Sequence, residues 1–300
     1  MEKINKQLYD TQTAGALYSF AIILLFLLSF FFSAALLLSG IEIDVNGAKP
    51  DWYLYCNYLV PQIAFALVIA AVFIFVKVTP KEVFKSTKWQ YFLLAILLQF
   101  GLFSLSWVNG YFLRFLQDAL GYQLNQAQLP SLEQGGLFFV IIVVALLPAI
   151  FEESIFRGLL LAPMKKLSTP VAVLLNGFLF ALYHQNPAQT LYQFVCGCAF
   201  ALIAIRANSV LPTILSHFLN NTAIILLTYF GIDEFTGMGG VIFYILAAIS
   251  LAATLVWLIF IDRKTNEKKT QSVQLFLFFA SVGIAVCAVS WMSNLLLSIG

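Results

Sequence analysis

The stretch LFFVIIVVALLPAIFEESIFRGLL, residues 137–160, is apolar except for a few polar and charged side chains near its carboxyl end. About 20 helical residues, each rising about 1.5 Å, are enough to cross a hydrocarbon core about 30 Å thick. The stretch therefore predicts a membrane-spanning helix. Glu152, Glu153 and Arg157 lie within it, where a charge costs at least about 2.5 kcal/mol on insertion scales. Charged residues at such a position indicate function.

The rest of the chain has the same character, because 61% of its 300 residues are hydrophobic and only 10% are charged. A water-exposed surface needs far more charge. The sequence therefore predicts an all-α polytopic membrane helix bundle with about 8–9 transmembrane helices. The apolar segments lie at 15–40, 54–76, 91–112, 137–160, 168–186, 188–205, 210–230, 239–261 and 273–298.

The simplest domain organisation is one integral membrane domain over residues 1–300. Residues 137–230 are predicted to form its catalytic helix core, because the unusual polar residues fall there. Residues 1–136 and 239–300 are predicted to add peripheral transmembrane helices. The apolar run near the amino terminus is longer than that of a signal peptide, so we expect it to be retained as a helix.

The positions of the cationic residues predict the orientation. All Lys and Arg residues except Lys49 and Arg114 lie at alternate ends of the predicted helices. Cationic residues in short loops stay cytoplasmic, so the amino terminus is expected in the cytoplasm, and an odd number of spans puts the carboxyl terminus on the other face. Short loops and compact size are typical of a bacterial cell-membrane protein.

Two other classes of site find no support in the sequence. The cysteines are Cys56, Cys196, Cys198 and Cys287, all within apolar runs and without the CxxC spacing of a zinc or redox site. No glycine-rich phosphate loop or long basic block is present in the sequence, so neither a nucleotide nor a nucleic-acid partner is expected.

The adjacent acids differ in their local partners. Glu153 and Arg157 are four residues apart and share a helical face, where a carboxylate can pair with a guanidinium. Glu152 points about 100° away and has no local partner. We therefore assign the chemistry to Glu152. The alternative is that both acids only pair with basic groups near the cytoplasmic end.

The two histidines of the chain, His184 and His217, both fall in apolar runs. Phe180 lies one turn before His184, and Asn221 lies one turn after His217. A carboxylate with histidine neighbours can take a proton from water, while an amide and an imidazolium can stabilise an oxyanion. This combination predicts amide hydrolysis. Helical spacing from His217 favours Asn221 over its neighbour Asn220 as the functional amide.

Three motifs, EExxxR at 152–157, FxxxH at 180–184 and HxxxN at 217–221, together resemble the CPBP or CAAX-protease family. This family comprises intramembrane glutamic proteases similar to type II CAAX prenyl endopeptidases, and includes Abi proteins. The resemblance covers about residues 148–222. It implies a peptide or protein substrate, either a CAAX-like tail or a bacterial peptide. The residues themselves predict no cofactor, with zinc as the alternative.

The resemblance also implies residue roles. Glu152 would act as general base on a water molecule with help from His184, while His217 and Asn221 would stabilise the oxyanion. The residues that support the motifs would be Glu153, Arg157 and Phe180. The sequence predicts no particular oligomeric state.

Other functions remain compatible with the same residues. Glu152, His184 and His217 could supply the three protein ligands of a catalytic zinc, although HExxH is absent and the metal-free mechanism is favoured. A non-catalytic protein could hold a bacteriocin peptide for self-immunity or bind a membrane sensor kinase. A proton-coupled transporter could use an intramembrane acid and histidines, but no internal repeat supports it.

The predicted helices place Glu152 and His184 at different depths in the membrane. With the fourth helix running inward, Glu152 lies only about 8 Å from the cytoplasmic boundary, while His184 lies about 20 Å inward. The two side chains would then be far apart. Breaks or tilts at Pro148, Pro170 or Pro187 would be needed to bring them together.

Overall fold

The computed structural model describes residues 10–44, 48–76, 78–124, 128–232, 234–262 and 273–299. Some cationic residues that predict the orientation lie outside the described residues: Lys3, Lys6, Lys77, Arg263, Lys264, Lys268 and Lys269. The long helices, in chain order, are α1 Thr11–Ser39, α2 Asp51–Val76, α3 Trp89–Leu102, α4 Leu105–Leu120, α5 Gly136–Met164, α6 Thr169–Tyr183, α7 Thr190–Ala207, α8 Leu211–Tyr229, α9 Gly237–Ile261 and α10 Val273–Leu297.

The predicted fold class is confirmed. Eight helical segments in the described part of the chain are long and apolar enough to cross a membrane, with α3 and α4 counted as one span. Over the same residues no strand forms, and the β-type pairing is an isolated bridge between Tyr122 and Ile299.

Three predicted segments end at other residues than expected. The segment predicted at 137–160 continues to Met164 as α5, and the segment predicted at 168–186 is the shorter helix α6, which ends at Tyr183. The segment predicted at 91–112 continues to Leu120 and is broken by a turn between α3 and α4. Hydropathy marks apolar residues but does not show where a helix turns, so these ends were missed.

Helix α5 carries the two acids and is irregular on both sides of them. Pro148 has no N–H, so the carbonyl of Val144 cannot accept the usual bond from four residues ahead, and Ile141–Leu146 is π-helical. A second π-helical segment, Ser154–Leu160, begins directly after Glu153. Such irregular turns are frequent at functional sites, and here they flank the acids.

Helices α6 and α7 cross in direct backbone contact. A Cβ added to Gly177 would lie 2.4 Å from Cys198 Sγ, and one added to Gly197 would lie 2.8 Å from Gly177 Cα. No side chain fits at either position. The close crossing brings Phe180 of α6 and Phe200 of α7 to the same side of α5, where both contact Arg157.

We expect Gly177→Val and Gly197→Val each to destabilise the protein by about 1 to 3 kcal/mol, because forced overpacking separates the two helices. The measurement is thermal unfolding in detergent. Gly110→Val is the matched control, since a Cβ at Gly110 meets no atom within 4 Å. Equal unfolding temperatures for all three variants would contradict the close crossing.

The two ends of the chain pack together beside this core. Ser19 Oγ of α1 donates to Phe279 O of α10 at 2.7 Å and accepts from Gly283 N at 3.1 Å. Tyr18 of α1 contacts α6 through a bond from its hydroxyl to Leu179 O at 3.5 Å. Helices α1 and α10 therefore pack against each other, and α1 also contacts α6.

Candidate active site

Glu153 and Arg157 form a fully buried ion pair, as their spacing predicts. Arg157 Nη1 lies 2.8 Å from Glu153 Oε1, and both side chains are 0% exposed. Arg157 Nη2 also donates to Gly197 O at 3.2 Å. The guanidinium carbon lies 4.1 Å from the ring centre of Phe180 and 5.4 Å from that of Phe200. Burial of this charge is offset by the carboxylate and by aromatic faces.

His217 lies between the two acids. Its Nδ1 is 3.0 Å from Glu153 Oε1, and its Nε2 is 4.0 Å from Glu152 Oε2. An ionised carboxylate can accept hydrogen bonds but cannot donate them, so Nδ1 donates to Glu153 and the ring orientation is fixed. Its other nitrogen then faces Glu152. Glu153 thus has a second role that its spacing to Arg157 did not predict.

Glu152 is 6% exposed and has two differently placed carboxylate oxygens. Its Oε1 accepts a hydrogen bond from Tyr183 Oη at 3.3 Å. Its Oε2 is buried and has no hydrogen-bond partner among the residues that the structure describes. The second oxygen, beside His217, is therefore the one not engaged by a donor in the described part of the chain.

Tyr183 was not identified as a site residue from the sequence. A neutral phenol in an apolar helix has no charge that would mark it as functional. Its role can be recognised only from the packing of α6 against α5. The available hint was its position directly before His184. Its hydroxyl is the hydrogen-bond donor to Glu152 across the helix interface.

His184 lies at the carboxyl end of α6 and is half-buried. Its Nδ1 is 2.7 Å from Phe180 O, and because a carbonyl only accepts, this nitrogen carries the proton. In the described part of the chain, neither ring nitrogen lies within 4.0 Å of a carboxylate oxygen. His217 is therefore closer to Glu152 than the implied assistant His184 is.

Phe180 brings the two histidines to one region. Its ring centre lies 4.7 Å from that of His184 and 6.0 Å from that of His217, with edge-on geometry in both cases. Tyr183 adds a second contact, with its ring centre 5.1 Å from that of His184. The motif phenylalanine therefore packs against both imidazoles.

The difference in depth between Glu152 and His184 that was expected from the predicted helices is wrong. Because α5 continues to Met164, Glu152 lies about 18 Å from that end of the helix at about 1.5 Å per residue. Helix α6 starts at Thr169, so its end at Tyr183 lies about 22 Å from the same turn. The acid and His184 therefore lie at similar distances from the turn that joins α5 to α6.

The turn that follows His184 is held by the last helix. Gln185 adopts a left-handed conformation with φ of 52°, which is uncommon for a residue with a side chain. Its Oε1 accepts from Ser290 Oγ at 2.5 Å, and its backbone carbonyl accepts from Asn294 Nδ2 at 2.8 Å. Helix α10 thereby fixes the point at which α6 ends.

Asn221 lies one turn from His217 and is half-buried. Its Nδ2 donates to Val144 O at 3.1 Å, the carbonyl that Pro148 leaves without an α-helical donor. Its Oδ1 accepts from Asn220 Nδ2 at 3.1 Å. Because an amide nitrogen carries two hydrogens, one N–H is not used by Val144.

The zinc alternative does not fit the arrangement of the side chains. Among the described residues no group of three His, Cys, Asp or Glu side chains is placed to hold a metal ion. In the described part of the chain His184 has no carboxylate oxygen within 4.0 Å of its ring nitrogens, so it lies apart from Glu152 and Glu153. We derive no step of the reaction through zinc.

The fold and the site define a class: a polytopic membrane protein with a carboxylate and imidazole cluster buried between its helices. The family model described as "Type II CAAX prenyl endopeptidase Rce1-like" matches residues 134–223. The resemblance to the CAAX-protease family is thereby confirmed, and the match indicates a membrane protease of the CAAX type in general. No curated protein and no solved structure matches the chain.

Proposed function

We propose that this protein is an intramembrane glutamic endopeptidase in which Glu152 activates the attacking water. The observation that carries the proposal is the position of Glu152. It is buried, one oxygen is held by Tyr183, and the other faces His217 Nε2 at 4.0 Å. A carboxylate oriented in this way can act as a general base for hydrolysis of a peptide bond.

The proposed reaction is balanced in protons. Glu152 takes a proton from water as the water oxygen bonds to the peptide carbonyl carbon. The resulting oxyanion is stabilised by the Asn221 amide and by His217 in its imidazolium form, whose Nε2–H is the donor because Nδ1–H is bound to Glu153. When the C–N bond breaks, the leaving nitrogen takes the proton from Glu152. His184 is proposed to orient the water through Nε2, because its Nδ1 is engaged by Phe180.

Glu153, Arg157 and Phe180 are proposed to act by holding this geometry. Glu153 fixes the ring of His217, and Arg157 offsets the charge of Glu153. Phe180 packs against both imidazoles and against the guanidinium. None of these three needs to touch the substrate in the proposed mechanism.

Tyr183→Phe is expected to lower kcat about tenfold and to leave KM unchanged, because it removes only the donor to Glu152, and hydrogen bonds to charged groups contribute about 1.5 to 3 kcal/mol. The measurement is the rate of peptide hydrolysis by purified protein in vesicles. Tyr58→Phe is the matched control, since it removes a bond to Gln128 O outside the site. A Tyr183→Phe variant as fast as wild type would remove Tyr183 from the mechanism.

The proposed substrate is a membrane peptide, either a bacterial peptide or a CAAX-like tail, and the proposed location is the bacterial cell membrane with a cytoplasmic amino terminus. The experiment that tests the function compares the membrane peptides of cells expressing wild type with those of cells expressing Glu152→Gln. Peptide ends that disappear in Glu152→Gln cells would identify substrates.

The same comparison tests the non-catalytic alternatives. If Glu152→Gln preserves both the peptide profile and every cellular phenotype, the protein acts by binding, as a bacteriocin-immunity protein or a sensor-kinase partner would. Loss of phenotype together with unchanged peptides would also contradict the protease proposal.

A further inference from the structure

Asn220, beside the proposed oxyanion donor Asn221, connects the site to two other helices. Its Oδ1 accepts from Gln99 Nε2 of α3 at 2.9 Å and from the hydroxyl of Tyr192 of α7 at 2.8 Å. Asn220 is 7% exposed and Gln99 is 1% exposed. Gln99 lies outside the family-matched residues 134–223, so the match does not assign it a role.

The four amide and carbonyl groups form one chain of hydrogen bonds with a fixed direction. Gln99 donates to Asn220, Asn220 donates to Asn221, and Asn221 donates to the backbone carbonyl of Val144. That carbonyl can only accept, so the nitrogen of Asn221 must face it and the oxygen of Asn221 must face Asn220. The same rule then directs the oxygen of Asn220 at Gln99 and Tyr192.

Reversing any amide in this chain would bring two acceptors together. If the Asn220 amide rotated by 180°, its oxygen would face the oxygen of Asn221. A matching rotation of Asn221 would remove that contact but would place the oxygen of Asn221 against Val144 O. Each such contact leaves a buried polar atom unpaired, which costs about 1 to 3 kcal/mol. The carbonyl of Val144 therefore sets the orientation of the Asn221 amide directly. The two donors on Asn220, from Gln99 and Tyr192, hold Asn220 with its nitrogen toward Asn221 and so stabilise the same orientation.

We infer that Gln99, Tyr192 and Asn220 are positioning residues for peptide hydrolysis, and that they hold the Asn221 amide with its nitrogen toward α5. This inference rests on the proposed function, because it assigns a purpose to the orientation of a proposed oxyanion donor. With one N–H of Asn221 bound to Val144 O, the second N–H is the one presented to the oxyanion. None of the three positioning residues needs to contact the substrate.

The expected kinetic effect separates positioning from simple structural support. A misdirected oxyanion donor weakens the transition state and leaves substrate binding unchanged, so kcat falls while KM stays constant. Gln99→Met and Tyr192→Phe each leave one donor to Asn220, whereas the double variant leaves none. We expect kcat to fall a few-fold in each single variant and about 10- to 100-fold in the double variant, because losing one whole oxyanion donor lowers kcat about 10²- to 10³-fold.

The test measures kcat and KM of purified wild-type, single and double variants in vesicles, with a peptide recovered from the membrane comparison. Ser250→Ala is the matched control, since it removes a hydrogen bond onto Leu97 O of the same helix α3. Gln99→Glu, which places an acceptor against Asn220 Oδ1, is expected to lower kcat more than Gln99→Met. Unfolding temperatures of the single and double variants show whether each is folded.

The outcomes distinguish this inference from the proposed function. If Glu152→Gln is inactive while the folded double variant keeps the wild-type kcat, the positioning inference is wrong and the function stands. If kcat and KM of the single variants change in parallel with their unfolding temperatures, the three residues are structural only. If Glu152→Gln itself cleaves at the wild-type rate, the proposed function is wrong.

Discussion

Glu152→Gln is expected to lose about 10²- to 10⁴-fold in kcat, the contribution of a positioned general base. The glutamine has the same shape and can still accept the bond from Tyr183, but it cannot take a proton from water. KM is expected to stay the same, because the substitution removes a group needed in the transition state. The measurement is hydrolysis of a membrane peptide by purified protein in vesicles.

Glu133→Gln is the control for the loss of one carboxylate, because Glu133 is exposed and precedes α5. It should cleave at the wild-type rate. Unfolding temperatures of the two variants show whether the active-site change affects folding. If Glu152→Gln is folded and keeps the wild-type rate, Glu152 is not the base.

Arg157→Met is expected to destabilise the protein by about 3 to 5 kcal/mol, the usual cost of breaking a buried ion pair by removing one partner. Glu153 is fully buried, and without Arg157 it keeps a hydrogen bond from His217 but loses its guanidinium partner. The contacts of the guanidinium with Phe180 and Phe200 are lost as well. The measurement is unfolding by heat or denaturant in detergent.

The double variant Glu153→Gln/Arg157→Met tests the cause of that loss. It removes both charges, so it should be more stable than Arg157→Met alone. Arg114→Met, at an exposed position, should change stability by no more than about 0.5 kcal/mol. An Arg157→Met protein that unfolds at the wild-type temperature would show that the pair does not stabilise the fold.

Local spacing was sufficient to predict the Glu153 and Arg157 pair, because residues four apart on a helix share a face regardless of the tertiary structure. Apolar length was likewise sufficient to predict the membrane helix bundle. The ends of α5 and α6 were harder to predict from the sequence, since an apolar residue next to a turn cannot be distinguished from one within a helix. The error in the depth of Glu152 followed directly from the end of α5.

Contacts between distant helices could not be predicted from the sequence. The bond between His217 and Glu153 joins α8 to α5, and it depends on how those helices pack. Tyr183 and Gln99 were missed for a further reason: they are neutral, so their presence in an apolar helix carries less energetic cost than that of an acid. Their roles appear only when their partners, Glu152 and Asn220, are known.

The most direct test of a glutamate-activated water is peptide hydrolysis by purified protein in vesicles after treatment with a chelator, with metal content measured in the same sample. We predict that chelated, metal-free wild type cleaves the peptide at an unchanged rate and that Glu152→Gln does not cleave it. Loss of wild-type activity on chelation with recovery on adding Zn²⁺, or equal cleavage by both proteins, would contradict it.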